Sequence, residues 1–337
     1  MVAQWTYDLT TILGSALKNR LALLDPQQTS ALRLLNGYTE GLPDLVVDVY
    51  GHTLVLSNHS TNLQAAGQLL SEVRAFYLSE LPWLTCVLEK YLSSSEEPLR
   101  KGKITFGKSP DTQVTENGIH YALNLQLNRD ASFYMDTRLL RQWITEHAMG
   151  KTVLNTFAYT GSLGIAALGG GASHVSQVDL NRNSLGLAHD SRALNGFVAE
   201  KMKLMPVDFF VAAGSLKREG KLFDLVIVDP PFFSITERGR VNQAGESTRL
   251  INKVRPLIAD GGYLVIVNNA LFYSGRDFMG EMEAICGSGY VSIEEVIHVP
   301  DDVTGFAAPI TEVYPADPAP FNHPTKIVVL KVKRKIQ

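Results

Sequence analysis

The sequence predicts an α/β protein: a mostly parallel sheet with helices on both faces, preceded by a small α+β domain. Three observations predict it. After about residue 115, short apolar runs of strand type alternate with stretches of helical periodicity, the pattern of a parallel sheet with crossover helices. Four of the turns that follow these runs carry Gly161, Asp179, Asp208 and Asp229. Upstream of residue 115 the texture differs, with short strands split by turn signals around a single long helical stretch. The expected division is residues 1–112, a helical segment plus the small domain, and residues 113–337, the larger domain.

Within the first part, Leu13, Leu17, Leu21 and Leu24 recur at helical spacing, so residues 1–30 read as helix. Ala31 to Leu35 and Leu45 to Tyr50 read as strands separated by the turn-like Glu40-Gly41-Leu42-Pro43. Gly51-His52 leads into a third strand, Thr53 to Ser57. A helix over Leu63 to Tyr77 and a strand over Thr85 to Leu88 follow, and Ser93 to Pro98 reads as loop or linker.

In the second part, strands are expected at Thr152 to Thr156, His174 to Asp179, Lys201 to Met205, Phe223 to Val228 and Tyr263 to Asn268. Helices are expected at Ser162 to Leu168, Asn183 to Asn195, Ser247 to Ile258 (closed by Gly261-Gly262) and Arg276 to Cys286. Val291 to His298 and Lys326 to Lys333, joined by a long loop, suit an antiparallel hairpin at the sheet edge.

Composition narrows the function classes. Of 337 residues, 45% are hydrophobic and 19% charged, a globular balance. The net charge of -3 supplies no global basic field, so any nucleic-acid contact must come from local patches. Arg100, Lys101, Lys103 and Lys108 form one such cluster, and Lys331, Lys333, Arg334 and Lys335 another. Two cysteines, Cys86 and Cys286, make no disulfide framework and no CxxC metal pair, so no metal is expected. No apolar run reaches the ~18 residues that span a membrane, and Met1 to Leu13 lacks a signal-peptide pattern. The reading is a cytoplasmic protein without membrane partners; a homodimer is left open.

In an open parallel sheet, ligands bind beyond the carboxyl ends of the strands. The first such end is Leu154-Asn155-Thr156-Phe157-Ala158-Tyr159-Thr160-Gly161-Ser162-Leu163-Gly164. Gly161 allows a tight turn and close approach to a ligand, and Thr160 and Ser162 offer hydroxyls. The fingerprint G-x-G-x-x-G is absent, which argues against a pyrophosphate cradle. Asp179, followed by Leu180, is placed to accept both hydroxyls of a ribose. Asp208 is placed to accept from an adenine amino group, with Phe209 against the ring. Ribose and adenine without pyrophosphate point to S-adenosylmethionine (SAM).

The strand Phe223 to Val228 runs into Asp229-Pro230-Pro231-Phe232-Phe233-Ser234. The prolines fix φ and remove two amide donors. Asp229 can accept from the amino group of a flat base, with Phe232 or Phe233 stacked on its face. Asp229, Pro230 and Phe232 are therefore the candidate catalytic residues. Neither cysteine falls at a strand end near Asp229, and the following strand ends in Asn268-Asn269-Ala270. Methylation at a pyrimidine carbon needs a cysteine nucleophile, so a nitrogen acceptor fits better. Arg238 and Arg240 could approach a phosphate, and His323 in the late loop is a conceivable base.

Ser132-Phe133-Tyr134-Met135-Asp136-Thr137-Arg138, the Leu154 to Ser162 loop, Val178-Asp179, Leu194-Asn195-Gly196 and Asp229 to Ser234 resemble segments of the bacterial 23S ribosomal RNA methyltransferases. The group is that of the large-subunit methyltransferase I type (5-methylcytosine) and the K domain of the K/L type (7-methylguanine). Arg33 to Gly51 looks like the small domain of the I type, and Asn268-Asn269 is similar to the K type where the I type carries its cysteine. Residues 1–30 stand where a PUA-like RNA-binding domain is expected, and Asp130 replaces a basic residue. The resemblance implies a Rossmann-like seven-stranded class I methyltransferase sheet. It implies SAM contacts at Phe133, Tyr134, Phe157, Ala158, Tyr159, Thr160, Gly161, Asp179, Asp208 and Asp229; Asn155, Leu180 and Phe209 adjoin them as further candidates. The expected activity is transfer of a methyl group from SAM to a base nitrogen of ribosomal or related RNA. Two readings stand beside it: a methyltransferase of a small molecule or protein side chain, and a SAM-binding module without transfer.

Overall fold

A computed structural model describes residues 8–231, 233–236, 239–242, 247–306 and 316–334, with backbone alone for 233–236 and 239–242. The chain divides into two compact units, residues up to Met135 together with a segment from Pro300, and the remainder from Asp136. The division expected after residue 112 falls ahead of this change, at the start of a hairpin that belongs to the first unit.

The first unit opens with α1 (Leu9–Lys18), which buries Leu13, Ala16 and Leu17. The helix does not continue to residue 30 as its leucine spacing suggests. It gives way to a 3-10 turn, Leu21–Leu23, and Leu21 is 52% exposed. The cause is Arg20, fully buried, whose guanidinium makes two 2.9 Å bonds to the Glu40 carboxylate and also donates to the Ala16 and Asp302 carbonyls. Turning the arginine inward rotates the leucines outward.

β1 (Ala31–Asn36), the single turn α2 (Gly37–Glu40), β2 (Leu45–Tyr50) and β3 (Thr53–Asn58) follow. α3 (Leu63–Glu80) is capped by the Asn62 side chain, which accepts from the Ala65 amide at 3.1 Å. β4 (Cys86–Tyr91), α4 (Glu97–Lys101) and β5 (Lys103–Phe106) complete a sheet ordered β1-β2-β3-β4-β5. β3 and β4 are parallel, which requires the α3 crossover; the other pairs are antiparallel. Ser93 to Pro98 thus leads into a sheet element rather than between domains. α3 lays Ala66, Leu70, Val73 and Tyr77 against the sheet. A hairpin, β6 (Gln113–Glu116) and β7 (Ile119–Ala122), turns at Asn117 and Gly118, both with positive φ.

The second unit is the expected α/β layer structure. In chain order it comprises α5 (Arg138–His147), β8 (Thr152–Thr156), α6 (Ser162–Gly169), β9 (His174–Val178), α7 (Arg182–Leu194), β10 (Met202–Met205), α8 (Phe209–Arg218) and β11 (Phe223–Val228). A small hairpin, β12 (Phe233–Thr236) and β13 (Gly239–Asn242), precedes α9 (Ser247–Val254), β14 (Ile258–Asn268), α10 (Gly275–Cys286), β15 (Val291–Ile297) and β16 (Lys326–Val332). The seven-stranded sheet runs β10-β9-β8-β11-β14-β16-β15. β16 enters between β14 and β15, antiparallel to both, so of the last two strands only β15 is an edge. Gly261-Gly262 does not close a helix. α9 stops at Val254 before Pro256, and the glycines lie in β14, where a Cβ on Gly262 would stand 2.8 Å from Ile258 and 3.0 Å from the Asp224 carbonyl. The core joins β11 and β14 to α8, α9 and α10 through Val226, Leu264, Phe209, Ile251 and Phe278.

Candidate active site

The chain leaves β8 toward β9 and β10 on one side, then returns to lay β11 on the other. A crevice opens where such connections diverge, here between the carboxyl ends of β8 and β11, where Thr156 pairs with Val228. The Thr156 hydroxyl ties the strands further, donating to the Ile227 carbonyl at 2.8 Å. Most of the predicted site residues stand at this end of the sheet.

The loop after β8 is held in a sparsely populated conformation. Phe157, Tyr159 and Gly161 have φ of 55°, 51° and 80°, and two of these are not glycine. Each turn is fastened. The Ala158 amide donates to the Val178 carbonyl, the Gly161 amide to the Ala158 carbonyl, and the Tyr159 amide to Asp179 Oδ2 at 2.8 Å. Asp179 Oδ1 accepts from the Asn181 amide at 2.8 Å. A carboxylate has roughly four acceptor positions, so half-buried Asp179 retains lone pairs for ribose hydroxyls. Leu180 beside it is 63% exposed.

Beneath the loop lies a buried polar chain in which the sequence marks Asn155 and Gly161 but not Gln177. Asn155 Nδ2 donates to Gln177 Oε1 at 2.9 Å, and Gln177 Nε2 donates to the Gly161 carbonyl at 3.2 Å. Both side chains are buried, and Asn155 Oδ1 has no partner among the described residues. A Cβ on Gly161 would fall 2.5 Å from Ala188 Cβ, and one on Gly164 2.5 Å from Gln177. The two glycines make room for the glutamine. Two adjacent polar residues, Ser176 and Gln177, between the valines of a strand expected inside a parallel sheet, were the available signal.

Asp208 is committed locally. Its Oδ1 caps α8, accepting from the Phe210 and Val211 amides at 2.8 and 3.3 Å, and one carboxylate oxygen remains for a ligand. Phe209 is buried, with Phe157 stacked on it at 4.7 Å between ring centres, so that face is already filled.

At the end of β11, Asp229 is half-buried and Pro230 buried. Burial first, and the Asp136 carboxylate second, push the Asp229 carboxyl up to about 7. Asp136 receives the Thr325 hydroxyl at 2.7 Å and joins the site as a second carboxylate. Phe232 lies outside the described residues, as do Arg238 and Lys335. On the next strand Asn268 is buried and folds its Oδ1 onto the Ala270 amide at 3.0 Å, while Asn269 is exposed. Lys326, fully buried opposite Asn268, donates to the Ala270 and Pro324 carbonyls at 3.0 and 2.6 Å. Burial lowers its ammonium to about 8. No sequence signal marks it, since a lysine opening a strand reads as solvated. Phe272, three residues past Asn269, is 72% exposed at the same end of the sheet.

Phe133 and Tyr134 belong to the first unit. Phe133 is buried against Tyr121, and Tyr134 is 47% exposed with its hydroxyl on Asp130 at 2.9 Å. His323 Nδ1 accepts from the Thr325 amide at 3.0 Å, a turn contact. Lys101 pairs with Glu97, and Lys331 lies 3.6 Å over the Tyr263 ring. Cys86 is buried in the first unit, and Cys286 is half-buried at the end of α10.

A strained loop with no pyrophosphate cradle, acidic residues after successive strands and an antiparallel penultimate strand are features of an α/β transferase that binds an adenine nucleoside. The chain belongs to the S-adenosylmethionine-dependent methyltransferase family, whose family model matches residues 103–307. It is 27% identical to ribosomal RNA large subunit methyltransferase K of Neisseria meningitidis, over 86% of this chain and 84% of that one. It is 32% identical to ribosomal RNA large subunit methyltransferase I of Alteromonas mediterranea, over 71% of this chain and 60% of that one. The fold is similar to that of SMU.776, a protein solved in complex with SAH, with a TM-score of 0.82, 22% identity, and coverage of 96% of this chain and 80% of that one. The protein is a SAM-dependent methyltransferase, and SAM is its cofactor.

Proposed function

We propose that the protein methylates a base nitrogen of RNA, with ribosomal RNA as the leading substrate and the cytoplasm as its location. One observation carries the reading: Asp229, followed by Pro230, stands at the switch point with its carboxyl raised to about 7 beside Asp136. A carboxylate there accepts from the amino group of a flat acceptor. The relatives named as ribosomal RNA methyltransferases of the K and I types support RNA as the source of that acceptor.

SAM fits the residues present. Asp179 keeps acceptor capacity for ribose hydroxyls, and the buried Asn155 Oδ1 is an unused acceptor at the end of β8. In this reading Asn155, Phe157, Ala158, Tyr159, Thr160, Gly161, Asp179, Leu180, Asp208, Phe209 and Asp229 hold the cofactor. Bound SAM supplies a methyl group on a sulfonium, a good leaving group, so the protein's task is alignment. Asp229 orients the acceptor, and Pro230 and Pro231 stiffen the turn that carries it. A pyrimidine carbon would need a cysteine; positions 268 and 269 are asparagines, and neither cysteine lies at a strand end of the site.

RNA mass mapping of wild-type and deletion strains tests the proposal. One base should lose its methyl group in the deletion strain, and identical maps would overturn the RNA reading. The net charge of -3 favours the second reading, a small-molecule or protein acceptor, and under it the maps stay identical while SAM turnover persists on another acceptor.

A further inference from the structure

The first unit contains a cavity of about 100 Å³ where the carboxyl end of β3 meets the first turn of α3. Its walls include Leu42, Leu45 and Ala66, all buried, and its lining includes Asp44 and Ala65, both exposed, so it opens to solvent on their side. One polar group lies deep. Asn58 is 1% exposed, and its Oδ1 accepts from the Ser60 amide at 2.9 Å. That bond fixes which end of the amide is oxygen and leaves Nδ2 as a buried donor with no partner among the described residues. A buried N–H without an acceptor is costly, so the donor draws an acceptor into a cavity whose lining is otherwise mostly apolar. The site therefore calls for a flat apolar ring carrying a carbonyl on its leading edge and an N–H or amino group toward the Asp44 carboxylate. An engineered cavity in another protein that admits benzene measures ~150 Å³, so a single six-membered ring, partly in the mouth, fills this one, and a two-ring purine does not. One cation stands nearby for a phosphate. Arg129 is exposed and, after burial, is the largest influence holding the neighbouring His59 imidazole below its usual proton affinity.

We propose that this cavity seats a pyrimidine base of single-stranded RNA, with Asn58 Nδ2 donating to a ring carbonyl. The inference rests on the RNA reading and adds a recognition site outside the crevice of the second unit. Oligouridylate, oligocytidylate and oligoadenylate of equal length, titrated onto the full chain at one salt concentration and followed by fluorescence anisotropy, test it. Wild type should bind both pyrimidine oligomers about tenfold more tightly than oligoadenylate, the scale of one hydrogen bond with ring burial. Asn58→Leu removes the donor. Ala65→Phe plugs the mouth from an exposed helix position, where the fold tolerates it. Both variants should bind all three oligomers as wild type binds oligoadenylate. Equal binding of the three by wild type overturns the inference and leaves the RNA reading standing. A pyrimidine preference that survives in Ala65→Phe also overturns it. Failure of wild type to bind any of them removes the RNA reading and this inference together.

Discussion

Asp229 is a carboxyl that most positions would ionise well below neutrality, and here its ionisation falls at about 7. An acceptor of amino hydrogens must be ionised, so kcat/KM for the methyl acceptor should rise with pH and level off above about 7. Initial rates across that range check it. Asp229→Asn should lose about 100-fold and flatten the profile, on the scale of a positioned proton acceptor; a variant keeping the wild-type profile would remove Asp229 from this role. Gln177 acts one layer below. Exchanging a helix-interior glycine for alanine ordinarily gains about 1 kcal/mol. At Gly164 the added methyl would lie 2.5 Å from Gln177, so Gly164→Ala should instead cost ~1–3 kcal/mol and weaken SAH binding. Gly164→Ala combined with Gln177→Ala should recover stability, since the two share one contact. Urea unfolding and SAH calorimetry measure both, and additive losses would show that the glutamine and glycine are not coupled. At this scale the carboxylates after each strand were legible because acidic residues following apolar runs stand out. Gln177, Lys326 and Asp136 were not, because each acts through a neighbour that only the sheet order brings near.

At the scale of elements, alternation of apolar runs and helical stretches was enough to place β8, β9, β11 and α6, α7, α10 within a residue or two. What misled was a local signal overruled by a distant partner. The leucine spacing of residues 13–24 is helical, yet α1 ends at Lys18 because Arg20 pairs with Glu40. The Asn117-Gly118 dipeptide did carry a hairpin signal, and it sat in a stretch too short and polar to read as strands. The Arg20–Glu40 pair is the constraint that sets this arrangement. Arg20→Met leaves the Glu40 carboxylate buried without its partner and should cost about 3–5 kcal/mol. Arg20→Met with Glu40→Met should recover much of that, because the orphaned charge is gone. Chemical denaturation of the two variants decides; equal destabilisation would show that packing of the arginine stem, not its charge, holds the turn.

For the whole molecule, the groups displaced from their usual ionisation act in opposite directions. Asp229 binds its proton more tightly folded than unfolded, so between about 4 and 7 the folded chain carries the extra proton and stability falls as pH rises. Lys90, whose Nζ donates to the Asn128, Arg129 and Asp130 carbonyls, and Lys326 are both lowered to about 8, chiefly by burial. They bind protons more weakly folded than unfolded, so between about 8 and 10 their cost fades and stability rises with pH. The contributions of these three groups are therefore least favourable together between about 7 and 8. Each displaced titration amounts to about 1.4 kcal/mol per pH unit, which is large against a net stability of ~5–15 kcal/mol. Asp229→Asn and Lys326→Met, each taken with wild type through urea titrations from acid to alkaline pH, separate the two limbs. The first should abolish the decline below neutrality, and the second should shrink the alkaline rise while Lys90 keeps the remainder. A protein that defers the cost of ionising Asp229 until an acceptor's amino group arrives spends stability at its site only where the ligand returns it. Saturating acceptor should accordingly lower the pH at which the acid limb falls, and an unmoved limb would show that the acceptor does not meet Asp229.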